Sequence, residues 1–380
     1  MGIDLNKEDF VQGLKTVGKL ITNKIIAMDT SYLKVSYVKG TYWLAGFGSQ
    51  HELLMKLKDK DAEEMSKNID FDHIWDLVGY MGDEIYLELT DKGVFVKDGT
   101  SKTELVDVMS DNDDVEDIGS LLDMKENLAE EGYTVNREEF YNTIKYLRGI
   151  QEREDREDLE TGVMLSTDAG YVVSELYAAR VEYEFPTNLV LDTPTVKVLL
   201  DLLESNEEEE TIKIVREEGL TWFLIGEDIY RVDGLTDEVD DEYKEVFNHR
   251  KVEDKIQLDK AESLRMLNMT KVLTDSLEPD INLKVEKGKG RIYTETNDGD
   301  LVDSSFKAKK CQDTEFTVSV EDMISVISNI PKSAGTSLEF EVVLIPVEEQ
   351  MEEQELLHLK VGDKDGFKGD CIFSINTDIE

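Results

Sequence analysis

The residues best placed to do chemistry in this chain are basic side chains standing in acid-free stretches of an acidic protein. Asp and Glu number 86 against 42 Lys and Arg, for a formal net charge of −44, yet residues 10–24, 140–151 and 263–274 contain no acid. At the chain's average composition these stretches would hold about nine carboxylates. They carry Lys15, Lys19 and Lys24, then Lys145 and Arg148, then Arg265 and Lys271. Two more cations, Lys197 and Lys332, flank a second set of acid-poor segments, whose bodies hold only Asp76 and Asp201. Lys, Arg and polar donors on regular elements neutralise phosphates without reading bases. No aromatic-rich strand offers a stacking surface for single strands, so duplex is the expected ligand. The remaining surface, at this net charge, repels nucleic acid and anionic membranes at long range.

Other chemistries find little footing. The acidic strings at 110–117 and 363–370 imitate calcium loops but lack the closing Glu such a loop requires. Lys287–Arg291 has glycines beside basic residues, but it reads as a hairpin turn, because no helix follows to cradle a phosphate. His51, His73, His249 and His358 are scattered, with no HExxH or CxxC pattern and no GxSxG, so neither a metal, a cofactor nor an enzyme activity is expected. Cys311 and Cys371, far apart, are read as buried free thiols of a reducing compartment. No apolar stretch approaches the length of a membrane span, and the first ten residues lack an apolar core, so a cytoplasmic protein is expected.

The cations need elements to hold them, and a repeat supplies these. Residues 5–20, 135–150 and 258–273 align without gaps. Each opens on Asn or Asp as a helix cap, followed by apolar residues at helical spacing. The stripes are Phe10, Leu14 and Val17; Phe140, Ile144 and Leu147; and more loosely Leu264, Leu267 and Val272. A second set, 69–81, 191–203 and 318–330, aligns equally, with Asp70, Asp192 and Ser319 at the cap. Alternating apolar runs with turn signals lie between and after these helices, as at 32–46, 162–177, 281–296, 85–99 and 211–225. Met266, Met269, Trp75, Tyr80 and Tyr146 are expected to pack in cores or between domains.

The chain therefore divides into an α+β repeat of three copies, each with two helices packed on antiparallel sheets: 1–106, 132–247 and 248–380. Residues 107–131 form an acidic connector, and both it and the charged stretch 233–255 are expected to be solvated.

This pattern resembles the bacterial β sliding clamp. The segment 175–183 is similar to the strand that in the family ends in Arg and an aliphatic residue, here Arg180 and Val181. The segment 229–247 resembles the family's VDG…PDY run through Val232, Asp233, Gly234, Tyr243 and Val246, and 371–376 its apolar last strand. Asp241 replaces the usual Pro, and Leu176-Tyr177-Ala178-Ala179 replaces the Thr-Asp-Gly-His before the Arg. Such departures fit a divergent, phage-encoded member.

The resemblance implies a DNA polymerase processivity factor: a head-to-tail homodimer forming a six-domain ring, its helices around duplex DNA. It further implies a clamp loader and a replicative polymerase as partners. Their peptides would dock in a pocket built from Leu176, Tyr177, Arg180, Val181, Tyr243, Val246, Ile372 and Ser374, with an altered peptide preference. The subunit interface would join the strand at Lys102–Leu105 to Val272 and Leu273. A net charge of −44 also suits a DNA mimic or an acidic scaffold, the alternative from another class.

Overall fold

A computed structural model describes residues 2–22, 32–48, 50–60, 63–99, 101–108, 113–128, 130–151, 162–173, 177–239, 247, 251–272, 280–286, 289–295, 301–307, 314–347, 352–362 and 367–374. One order of elements is run through three times. The first pass is β1 (Gly2–Asn6), α1 (Lys7–Thr22), β2 (Tyr32–Val38), β3 (Thr41–Phe47), β4 (His51–Asp59), β5 (Met65–Asp70), α2 (Phe71–Gly79), β6 (Glu84–Thr90), β7 (Gly93–Asp98) and β8 (Ser101–Val106). After α3 (Asp113–Leu128) come β9 (Tyr133–Asn136), α4 (Arg137–Gln151), β10 (Val163–Leu165), β11 (Gly170–Val173), β12 (Tyr177–Val181), β13 (Leu189–Leu191), α5 (Thr193–Ser205), β14 (Thr211–Glu217), β15 (Leu220–Ile225) and β16 (Asp228–Asp233). The third pass is β17 (Lys251–Asp259), α6 (Lys260–Lys271), β18 (Asp280–Glu286), β19 (Lys289–Glu295), β20 (Leu301–Lys307), β21 (Thr314–Ser319), α7 (Val320–Asn329), a short 3-10 turn at Lys332–Ala334, β22 (Ser337–Val347), β23 (Glu352–Gly362) and β24 (Lys368–Ser374).

Local chemistry explains where these elements start and turn. Helix caps satisfy amide donors that the first turn leaves without partners. Asn6 accepts from the Glu8 amide at 2.7 Å, Asp70 from His73 at 3.1 Å, Asp259 from Glu262 at 3.0 Å and Ser319 from Asp322 at 3.4 Å. The hairpins β2–β3 and β14–β15 turn on Lys39-Gly40 and Glu218-Gly219, with φ of 51° and 83°, and of 51° and 88°. Left-handed residues at both turn positions match the right-handed twist of the flanking strands, and glycine meets that demand at the second without steric cost.

Among the described residues the ladders are antiparallel and form four sheets: β1-β6-β7-β8, β5-β2-β3-β4-β16-β15-β14-β9, β13-β10-β11-β12-β24-β23-β22-β17 and β20-β19-β18-β21. The eight-stranded sheets arise where β4 pairs with β16 and β12 with β24, so the third strand after one copy's first helix meets the last strand of the next copy. Two compact units result, and they cut across the sequence repeat. Unit 1 is Met1–Glu138 with Pro194–Leu235; unit 2 is Glu139–Thr193 with Thr236–Glu380.

The cores follow the helical stripes. Phe10, Leu14 and Val17 of α1 and Phe140, Ile144 and Leu147 of α4 are fully buried. Burial of side chains this size contributes about 1.5–3 kcal/mol each. The third stripe departs from its expected face: Leu267 is buried, but Ser263, Met266 and Thr270 join it, and Val272 is 80% exposed. Placing Met266 and Thr270 inward rotates the last turn, which carries Val272 out. Met266 and Tyr146 are buried as anticipated, whereas Met269, Trp75 and Tyr80 are exposed.

The acidic connector is not a solvated strand of chain. Its α3 buries Ile118, Leu121, Leu122 and Leu128 against Val38, Trp43, Ala45, Leu54, Val215, Trp222, Leu224 and Ile229 of the unit 1 sheet. Spacing at i, i+3 and i+4 gathers these four side chains on one face while the acids occupy the other. Lys39 pairs with Asp123, and Lys125 Nζ donates to the carbonyl oxygens of Gly226 and Glu227 at 3.2 and 2.9 Å. Of 233–255, residues 240–246 and 248–250 lie outside the described residues; Leu235 and Phe247 are buried, so this stretch too is not wholly solvated. Cys371 is buried and free; Cys311 is outside them too.

Candidate nucleic-acid interface and junction grooves

Two pairs of helices hold most of the basic side chains singled out by the sequence. In unit 1, α1 lies against α5. Lys19 pairs with Asp201 and its Nζ donates to the carbonyl oxygen of Lys197 at 3.3 Å, while Lys15 Nζ stands 3.7 Å from Asp201 Oδ1. In unit 2, α4 meets α7 through Gly149, where Ser325 Oγ donates to the glycine carbonyl at 2.7 Å. A Cβ at Gly149 would fall 2.5 Å from Asn329 Nδ2 and 3.2 Å from the Ser325 carbonyl oxygen, so a larger residue here would have to push the Asn329 side chain aside.

The other cations lie on α4, α5, α6 and the 3-10 turn. Lys145 Nζ donates to Tyr141 Oη at 2.7 Å and rests over the same ring, 4.9 Å from its centre. Arg148 and Lys197 are half-buried. Arg265 is exposed with Nη1 3.5 Å from Met269 Sδ, Lys271 pairs with Glu321 at 3.0 Å, and Lys332 is exposed on the 3-10 turn. Lys24 lies outside the described residues. The expectation of an uncompensated positive face is therefore corrected at three places: Lys15, Lys19 and Lys271 each have a carboxylate at hand.

A groove sits at each strand junction. In unit 2, one face of the sheet carries a row of alternating charge in register across five strands: Arg180 (β12), Asp370 (β24), Lys360 (β23), Glu339 (β22) and Gln257 (β17). A cleft of about 540 Å³ opens above it, lined also by Glu182, Ser337 and Lys368. One row further lie Ala178, Ile372, His358 and Glu341. His358 is fully buried with Nδ1 3.3 Å from Glu341 and Nε2 3.3 Å from Asp370, and Lys360 Nζ reaches Glu341 at 2.7 Å. Burial raises the Asp370 pKa, but hydrogen bonds and charge from His358 and Arg180 outweigh it and hold the carboxyl down at about 2.

Beside this charged network is an apolar cluster of Ala169, Tyr171, Ala178, Phe247, Val343, Leu356 and Ile372. Arg180 joins the two, lying over the Phe247 ring at 4.8 Å while paired with Asp370. Such a site can take an apolar side chain beside a charged or amide group.

Of the residues expected to form a partner pocket, Arg180 and Ile372 share one face of two paired strands, whereas Val181, next to Arg180 on β12 and buried, belongs to the opposite face. Tyr177 and Ser374 are described only as strand positions; Leu176, Tyr243 and Val246 lie outside the described residues. Sequence reasoning missed Asp370, His358 and Glu341. Their signal was there as alternation, since Glu339-x-Glu341 and His358-x-Lys360 each put two polar groups on one strand face.

No protein-family model matches the chain, and no curated protein matches it by sequence. Solved structures do match, over nearly the whole length. A DNA polymerase III beta subunit from Thermotoga maritima is 11% identical over 99% of both chains, with a TM-score of 0.72. The chain has the sliding-clamp fold. The beta subunit from Pseudomonas aeruginosa superposes with a TM-score of 0.70 at 13% identity, covering 99% of this chain and 100% of that one. A sliding clamp from the same organism, bound to griselimycin, gives 0.70 at 14%, with 99% of each chain covered. Within the sliding-clamp fold seen here, Lys102 and Leu105 fall on β8, an edge of its sheet, and Val272 just past the end of α6; Leu273 is outside the described residues. Among the described residues no helix is long and apolar enough to cross a membrane.

Proposed function

We propose that this chain is a DNA polymerase processivity clamp: a protein without catalytic activity that encircles duplex DNA as a head-to-tail ring of two subunits and tethers a polymerase and a clamp loader. In this reading the domains are 1–106, 132–247 and 248–380, joined by 107–131. The first helices and their basic residues, Lys15 to Lys332, face the duplex, and the unit 2 junction around Arg180, Val181 and Ile372 takes partner peptides.

The observation that carries the ring is the state of the two four-stranded sheets. Inside the chain, β4 finds β16 and β12 finds β24, each the last strand of the following copy. By the same rule β20 needs the last strand of a first copy, β8. Both are edge strands, and joining them gives β21-β18-β19-β20-β8-β7-β6-β1, the order of the internal eight-stranded sheets. In this reading a second molecule supplies the partner, and a head-to-tail contact of this kind closes into a ring when the rotation allows.

The helices support the same closure. Aligned by repeat, Val272 stands where Lys19 and Gly149 stand. Trp75 and Gly79 stand where Lys19 finds Lys197 and Asp201; Asp76 and Tyr80 stand where Gly149 finds Ser325 and Asn329. Closure therefore sets Val272 against Trp75 and Tyr80 of another copy. These side chains are 80%, 40% and 91% exposed in the single chain. Exposed apolar side chains on matched surfaces mark an interface. The alternative of a DNA mimic is less favoured, because beyond their first turns α1, α4 and α6 contain no acids.

Light scattering behind size exclusion tests the reading, run on the wild type and on Val272→Asp. The expected mass is about 87 kDa for the wild type, twice 43.3 kDa, falling toward 43.3 kDa in the variant. A wild type loaded onto DNA should then stay on closed circular duplex and leave it after linearisation. Equal loss from circular and linear DNA would remove the clamp assignment.

A further inference from the structure

Two cations of the helix face assigned to the duplex meet a carboxylate before they meet a phosphate. Asp201, on α5, has a side chain only 7% exposed; Lys15 and Lys19, on α1, are 49% and 29% exposed. The carboxylate spans both, with Oδ1 3.7 Å from Lys15 Nζ and Oδ2 paired with Lys19. The Lys19 ammonium is drawn further toward α5 by the carbonyl oxygen of Lys197, 3.3 Å away. At the repeat-equivalent positions stand Gly79 and Ser328, so this acid belongs to one copy of three. The same face of α4 is built differently: Lys145, equivalent to Lys15, rests on the Tyr141 phenol.

A phosphate approaching Lys19 must displace an oxygen anion already seated there. The displaced carboxylate cannot move far, because it is buried on a packed helix, and so it repels the phosphate that replaced it. We propose that Asp201 is a built-in competitor of DNA phosphate, one that keeps Lys15 and Lys19 compensated in the free protein and caps their hold on the duplex. The inference rests on the clamp reading, in which α1 and α5 face DNA. It suits a protein held by topology: a ring that cannot fall off gains nothing from tight contacts, and each strong one slows sliding.

The test is equilibrium binding of the full-length protein to a short linear duplex, followed by fluorescence anisotropy over a series of salt concentrations. Each phosphate neutralised by the protein adds about −0.9 to the slope of log affinity against log salt. Asp201→Asn should raise low-salt affinity roughly five-fold or more and steepen the slope by about one. Adding Lys15→Gln and Lys19→Gln should erase the gain, as coupled neighbours require. Asp201→Ser is a second variant in case the amide disturbs the fold. Unchanged or weaker binding on removing the carboxylate, or a gain that survives Lys15→Gln and Lys19→Gln, overturns the proposal while leaving the clamp reading intact. Absence of duplex binding by both the wild type and Asp201→Asn at the lowest salt also overturns the proposal, whereas the clamp reading stands or falls on retention by circular DNA.

Discussion

Unit 1 and unit 2 close the same kind of strand junction, each with one Arg–carboxylate pair across it, but surround that pair differently. Across β4 and β16 the face is apolar and aromatic: Leu54 faces Ile229 and Trp222 faces Arg231, which pairs with Glu52. A helix of the chain itself then covers it. Across β12 and β24 the equivalent face carries a row of charge beside a smaller apolar patch, and among the described residues only Phe247 and Val239 are contributed by the segment after β16. The titrations diverge in the same way. Burial pushes the Asp228 carboxyl in unit 1 up to about 6, against the pull of hydrogen bonds from Asn206 and the Lys56 amide, whereas Asp370 in unit 2 is held at about 2. A junction sealed by its own chain gives up access for stability, while one left with unsealed polar edges keeps a surface that a partner can use.

The difference is most directly broken at the seal. Replacing Ile118 and Leu121 with Asp should cost unit 1 at least about 4 kcal/mol, because two buried aliphatic contacts are lost and two charges face an apolar sheet. All three tryptophans, Trp43, Trp75 and Trp222, belong to unit 1, so urea unfolding followed by tryptophan fluorescence reads this unit alone. A midpoint unchanged from wild type would mean that α3 is ornamental.

The two carboxylates should respond to pH in opposite directions, each by up to about 3 kcal/mol, since one pKa unit is worth about 1.4 kcal/mol. Asp228, raised above its unfolded value of about 3.9, favours the fold fully below pH 4 and loses that contribution as pH rises through 6. Asp370, lowered, stabilises above pH 4 and loses its contribution as pH falls toward 2. Asp228→Asn should therefore gain stability at pH 8 relative to pH 4, and Asp370→Asn should lose it at pH 7 but not near pH 2. Urea midpoints across pH, by tryptophan fluorescence for the first and amide hydrogen exchange for the second, check both signs. The smallest effect expected is that of Lys39→Ala, below about 1 kcal/mol in the same fluorescence assay, because an exposed ion pair holds α3 far less than its apolar stripe does.

Much of this architecture was legible in the sequence because it is local. The six repeat helices begin within two residues of the aligned windows, for cap and stripe lie within a few positions of each other. The helix α3 was hidden because its apolar residues are diluted by acids that composition reads as solvation, though Ile118, Leu121 and Leu122 carry helical spacing. The junction chemistry was hidden for another reason. Arg180 and Asp370 stand 190 residues apart, and neither position announces the other until the strands pair. Val272 was assigned to a buried stripe because its spacing allowed it; the competing inward turn of Met266 and Thr270 decided the matter.

The strand junctions also set a timetable. At about 5–20 residues per second of synthesis, β4 must wait some ten to thirty seconds for β16 to emerge, with Leu53 and Leu54 on an open sheet edge meanwhile. The helix α3 leaves the ribosome within that interval and can settle on the half-built sheet before its last strands arrive. β12 waits on β24 across a similar length of chain, and the segment between β16 and β17 lends its junction Val239 and Phe247 among the described residues. Newborn chains therefore hold both junctions half-built for most of a subunit's synthesis, and the first can be covered by α3 well before its closing strand arrives.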